Sequence, residues 1–139
     1  MTTNYGSILT ISIPWPEKAL WINRRAGHNY HLSTAAKDAQ MTATSIAVIE
    51  AMRDQYDAAG ILRPDLERRS LEMVVTTHKI NKAPFDLDNL LGALKYAQDG
   101  ICSMLRVNDA QIDKVTVIRG SVDKRNPHVV IEIGARLAQ

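Results

Sequence analysis

Residues 85–112 constrain the fold more than any other stretch of the chain. Leu87, Leu91, Leu94 and Ile101 recur at helical spacing, with Ala93 and Ala97 filling in. The pattern predicts a single helix with one apolar face. Runs rich in β-branched residues flank it: Val74, Val75, Thr76 and Thr77 within residues 71–80, and Val115, Val117 and Ile118 within residues 112–119. Such residues suit a pleated, half-buried surface. A helix with one greasy face must bury it against another element, and strands on both sides supply a sheet.

The rest of the chain extends this pattern. Ile8, Leu9, Ile11 and Ile13 predict a first strand over residues 7–13, and Pro14-Trp15-Pro16 ends it because proline has no amide hydrogen to continue a ladder. Ser33 is a suitable N-cap for a helix starting at Thr34. Ala35, Ala39, Thr42, Ile46 and Ile49 form the expected apolar stripe of that helix, and Gly60 its stop. Residues 129–133 read as a fourth strand, joined to the third as a hairpin through a turn over residues 120–127. The expected architecture is α/β (α+β): a mixed sheet in the order β-α-β-α-β-β, with helices packed on it. At 139 residues the chain suits one domain, 1–139.

Composition narrows the setting. A 45% hydrophobic content supports a folded core, and a single cysteine, Cys102, precludes an internal disulfide. Cys102 is expected in the core. No run approaches the ~20 apolar residues of a membrane span, and no signal-peptide pattern opens the chain. A soluble, cytoplasmic protein with no membrane partner is therefore expected. The net charge of +2 permits nucleic acid as a partner without demanding it, so local charge decides.

Locally, the charges are organised around the long helix. Asp86 and Asp88 stand at its start and Asp109 beyond its end. One acid there has an ordinary explanation, since aspartate caps helices and an anion suits the positive end of the dipole; Asp88 is the expected cap. Three acids suit a hard divalent cation such as Mg2+, which takes oxygen ligands and keeps waters and substrate phosphate. Basic residues lie near them in sequence: Lys79 and Lys82 before the acidic pair, Lys124 and Arg125 in the last turn, and Arg24 and Arg25 in a loop that also holds Asn23, His28 and Tyr30. Cations so placed can hold an anionic nucleic-acid backbone. Trp15 and Trp21 are expected to pack on the core, the alternative being that Trp21 or Tyr30 stacks on a base. Asp113, on the third strand, is expected as an exposed strand charge.

Absent patterns exclude other chemistry. Asp86-Leu87-Asp88-Asn89 runs directly into Leu90 and Leu91, which rules out the alternating oxygen ligands and glycine of an EF-hand loop. Phosphate-binding glycine loops, zinc-ligand spacings and nucleophile elbows are missing, and the four histidines are scattered.

Taken in order, Pro14-Trp15-Pro16, the Asn-Arg loop, Asp86-Leu87-Asp88-Asn89-Leu90 and Asn108-Asp109-Ala110-Gln111-Ile112 resemble the RusA family of Holliday-junction resolvases, small endonucleases often carried by prophages. The resemblance runs from about residue 8 to residue 133. It implies a RusA-like fold and a homodimer that binds branched DNA, four-way junctions above all, and cuts two strands symmetrically with Mg2+, for which Mn2+ can substitute. It implies that Asp86, Asp88 and Asp109 are the catalytic metal ligands. The family places a lysine one helical turn after the second aspartate, whereas this chain has Gly92. Lys95, seven residues beyond Asp88, or Lys82 is expected to supply that charge. Two other readings stay open: a non-catalytic junction-binding protein that has lost the family lysine, and a nuclease for flaps and other branched DNA.

Overall fold

A computed structural model describes residues 5–21 and 30–137, with backbone alone over 30–33. Among the described residues four strands form one mixed sheet: β1 (Tyr5–Pro14), β2 (Leu71–His78), β3 (Ile112–Arg119) and β4 (His128–Arg136). Three helices accompany them, α1 (Tyr30–Met52), α2 (Leu87–Ala93) and α3 (Lys95–Leu105). The element order matches the expected one, except that the long helix is two.

The strands lie in the order β1-β4-β2-β3. β4 runs antiparallel to both β1 and β2, while β2 and β3 are parallel, joined by the α2–α3 crossover. Alternate residues of the strands, Leu9, Ile11, Ile13, Met73, Val75, Val129, Ile131 and Ile133, form the core with Val48, Leu90, Leu94 and Ile101 from the helices. The opposite face carries Thr10, Ser12, Val74, Thr76, Thr116 and Ile118, all partly or fully exposed.

The expected hairpin between the last two strands is not formed, because β2 lies between β3 and β4. Their connection crosses the end of β2, and Gly120 sits where it crosses. A Cβ at Gly120 would stand 2.6 Å from the Thr77 carbonyl oxygen and 2.8 Å from His78 Cε1. The Gly120 amide instead donates to that same Thr77 oxygen at 2.8 Å. Close backbone approach, not a tight two-strand turn, is what glycine provides here.

Helix α1 buries a different face from the one expected. Ala36, Gln40, Thr44, Val48 and Met52 are buried, whereas Ala35, Ala39 and Thr42 are exposed and Ile46 and Ile49 are half exposed. It also starts earlier, at Tyr30, so Ser33 lies inside it and not at its cap. Beyond Met52 a π-helical turn (Arg53–Asp57) leads to Gly60 at φ +70°. There Ile61 N–H donates to Tyr56 O and Gly60 N–H to Asp57 O, which closes the helix as expected.

The polar residues on the buried face of α1 explain the second departure. The long helix breaks at Leu94 (φ −101°, ψ 7°), which leaves helix-end backbone groups without internal partners. Gln40 takes up two of them. Its Nε2 donates to Ala93 O at 2.9 Å, and its Oε1 accepts from Ala97 N–H at 2.9 Å. Beside it α3 passes close to α1, with Gly100 facing Met41 O and Thr44. Cys102 is buried as expected, and burial, with lesser contributions from Asp109 and Asp99, pushes its thiol up to about 11.

Candidate functional site

The parallel pairing of β2 with β3 sorts the candidate residues into two groups. One end of the pair is set by Thr77 opposite Arg119, the other by Leu71 opposite Ile112. Eight-residue strands rising about 3.3 Å per residue place those ends roughly 23 Å apart.

At the Thr77–Arg119 end, Phe85 is the hub. Trp15 meets its ring edge-on, at a centroid distance of 5.4 Å and an interplanar angle of 87°. Lys79 Nζ lies 5.4 Å and Arg119 Cζ 5.2 Å from its centroid. Arg119 Nη2 also donates to Phe85 O at 2.9 Å, and Lys79 Nζ to Ala83 O at 2.6 Å. Both cations are therefore positioned, and each keeps further N–H donors.

Three open hollows share Phe85. One of about 590 Å³ is lined by Asp86, Asp88 and Arg119 with Pro84 and Leu87. A second, about 300 Å³, includes Lys79, Lys82 and Arg119. The third, about 450 Å³, has aromatic walls. The cap of α2 is Asp86 and not Asp88: its Oδ1 accepts from Asp88 N–H at 2.8 Å. That bond fixes the Asp86 carboxylate while both acids remain exposed. The turn holding Lys124 and Arg125 belongs to the same end, since Asp123 N–H donates to Lys79 O at 2.8 Å. Asp123 Oδ1 shapes that turn by accepting from the amides of Arg125 and Asn126.

At the other end stands Asp109. It opens a single 3₁₀ turn (Asp109–Gln111) capped by Asn108, whose side chain accepts from Ala110 N–H. Gln111 accepts from Asn108 N–H and donates to Leu66 O and Arg69 O. Asn108 and Gln111 thus pin the segment before β2 to the start of β3, and the exposed Asp109 carboxylate has no hydrogen bond among the described residues. Asp113 is exposed on β3, as expected, and accepts from Ser70 Oγ.

The structure thus brings Asp86, Asp88, Lys79, Lys82, Lys124 and Arg125 to one end and leaves Asp109 at the other. Among the described residues no three His, Cys, Asp or Glu side chains are close enough together to hold one metal ion. Lys95 is exposed at the start of α3, beyond the break, so the seven-residue spacing no longer sets it over Asp88. Arg119, which sequence reasoning passed over, lies beside the two acids instead. Its only signal was its place as the last residue of a strand, directly before the glycine of a crossing loop. Arg24 and Arg25 lie outside the described residues, as does the side chain of Tyr30.

Two carboxylates on one hollow fit a hard cation of the Mg2+ kind, which commonly uses one or two protein carboxylates together with waters and substrate phosphate. Among known proteins, no family model and no curated relative matches the chain. No described helix is long and apolar enough to cross a membrane.

Proposed function

We propose that this protein is a Mg2+-dependent endodeoxyribonuclease that hydrolyses phosphodiester bonds in branched DNA, with four-way junctions as the favoured substrate. The observation that carries the reading is the shared hollow of Asp86, Asp88 and Arg119, next to that of Lys79 and Lys82. It lies at the carboxyl ends of a parallel strand pair, a usual place for ligands in sheets of this kind. The order of the sequence motifs, similar to that of the RusA family, supplies the substrate class.

In this reading Asp86 and Asp88 hold the cation. Asp86 would do so while its Oδ1 accepts from the Asp88 amide, the bond that orients its carboxylate. When bound, the cation supplies an activated water and neutralises charge that develops on the phosphate. Arg119, anchored through Phe85 O, presents its remaining N–H groups to the phosphate oxygens, and Lys79 and Lys82 hold the flanking backbone. Arg119 thereby takes the part expected of Lys95. Lys124 and Arg125 add sequence-independent backbone contacts.

Asp109 takes part through a homodimer. Within one protomer it is separated from the acidic pair by the length of β2 and β3. A two-fold pairing that sets the Leu71 end of one protomer against the Arg119 end of its partner would give each site a third carboxylate. Two such sites would act on symmetry-related strands of a junction.

The test uses labelled four-way junction, flap and linear duplex, each with and without Mg2+. Paired symmetric nicks in the junction, lost in Asp86→Asn and in Asp109→Asn, are the expected result. Preferential cutting of flaps would move the substrate class, and binding without cleavage under any divalent cation would overturn the enzyme reading.

A further inference from the structure

The third hollow at Phe85 has no role in holding a cation or the scissile phosphate. Its walls are Trp15, Trp21 and Phe85, with Ile80, Lys18 and Lys79 around them. Trp15 and Trp21 stack at a centroid distance of 6.1 Å and an interplanar angle of 26°. Trp21 is held by its Nε1, which donates to Pro16 O at 3.3 Å, and Trp15 by its amide, which donates to Pro127 O at 3.2 Å. The three aromatic residues also pack against the core, as a purely structural role requires. Yet Trp15, Trp21 and Phe85 each stay partly exposed, and Ile80 is 48% exposed.

We infer that this hollow receives the base of an unpaired nucleotide next to the scissile phosphate. Three features converge on that ligand. Flat aromatic walls, with Trp21 held through its indole Nε1 and the Trp15 and Phe85 rings packed edge to face, offer stacking surfaces that any base can use. Lys18 and Lys79 at the rim match the phosphate attached to such a base, and two lysines beside an aromatic surface disfavour a cationic or purely apolar occupant. Phe85 is common to this hollow and to that of Asp86 and Asp88, so one nucleotide can stack while its neighbour's phosphate lies over the acids. A base paired inside a duplex cannot enter, and one freed at a branch point can. The inference rests on the nucleic-acid reading above and gives it a source of selectivity for structure over sequence.

Binding is measured without divalent metal, in EDTA, so that it is independent of cleavage. Short single-stranded oligothymidylate and a blunt duplex of equal length are titrated into the protein, following tryptophan fluorescence and oligonucleotide anisotropy in parallel. The expected result is quenching by the single strand, with affinity at least about ten-fold above that for the duplex, and a loss of about ten-fold in Trp21→Ala that Trp21→Phe restores. Binding seen by anisotropy with no change in tryptophan emission would overturn the inference. So would equal affinity for duplex, or parental binding by Trp21→Ala. If Trp21→Ala does not fold, Lys18→Glu, on an exposed side chain, decides: weakened single-strand binding supports the hollow and unchanged binding overturns it. Stacking without cleavage of any substrate would remove the nuclease reading alone, and cleavage without stacking would remove the hollow alone.

Discussion

The two ends of the parallel β2–β3 pair were built from similar motifs, each an aspartate beside an asparagine at the start of a helical turn, yet they do different work. At the Leu71 end the motif spends itself on structure: Asn108 caps, and Gln111 ties Leu66 and Arg69 to the start of β3. At the Arg119 end the capping needs one oxygen of Asp86, and the remaining groups face open hollows among cations and aromatic rings. The difference shows that a motif's residues divide between holding the backbone and facing the ligand. Only the second kind locates a site. Asp109 is exposed with no hydrogen bond among the described residues, yet it stands at the holding end, and the proposed dimer is our account of that mismatch.

Substitutions at and between the two ends should have different effects. Asp86→Asn and Asp109→Asn should each lower Mg2+-dependent junction cleavage by at least about a hundred-fold, since even residues that only orient metal ligands are worth 10–100-fold. Full activity in Asp109→Asn would return that residue to the structural end. Gln40→Ala tests the scaffold that orients α2: it strips a buried acceptor and a buried donor at the helix break of their partner. A loss of about 2–4 kcal/mol in urea unfolding is expected. Arg119→Ala should weaken cleavage or junction binding about ten-fold, the scale of one charge-assisted phosphate contact, whereas Lys95→Ala should stay within about two-fold. The reverse ranking would restore the charge to Lys95. Arg106, which closes α3 at φ 57°, gives the smallest effect: Arg106→Gly should stabilise the fold by about 1 kcal/mol by relieving a left-handed non-glycine residue.

Cys102 adds a pH dependence. Burial pushes its thiol up to about 11 in the folded protein, above the unfolded value of about 8.5. The unfolded chain therefore releases this proton first, and stability falls as pH rises from the unfolded value toward the folded one. Alkylation of Cys102 at pH 8 should be slow in the native protein and fast in urea.

Sequence patterns revealed the elements better than their arrangement. β3 spans the expected residues 112–119, because its β-branched run is bounded by clear turn signals. The break at Leu94 was invisible, since Leu87, Leu91, Leu94 and Ile101 keep helical spacing across it. What sustains the break is Gln40, 53 residues earlier than the carbonyl it binds. Gln40 and Thr44 also concealed the buried face of α1, where apolar Ile46 and Ile49 were the natural choice. The hairpin expectation failed because neighbouring strands in sequence usually pair, and Gly120 marks a crossing that sequence cannot tell from a turn. The acidic pair and its nearby lysines were legible because they are local. Arg119 and the separation of Asp109 follow from strand order, which no local pattern carries.

The most direct test mixes two inactive proteins. If the proposed dimer forms, Asp86→Asn and Asp109→Asn chains, refolded together so that subunits exchange, would give heterodimers in which one shared site holds both substitutions and the other holds neither. A shared site requires that the mixture recover Mg2+-dependent nicking of a four-way junction, in one strand and not two. If the mixture stays as inactive as either variant alone, although exchange is demonstrated, the shared site across the dimer is contradicted.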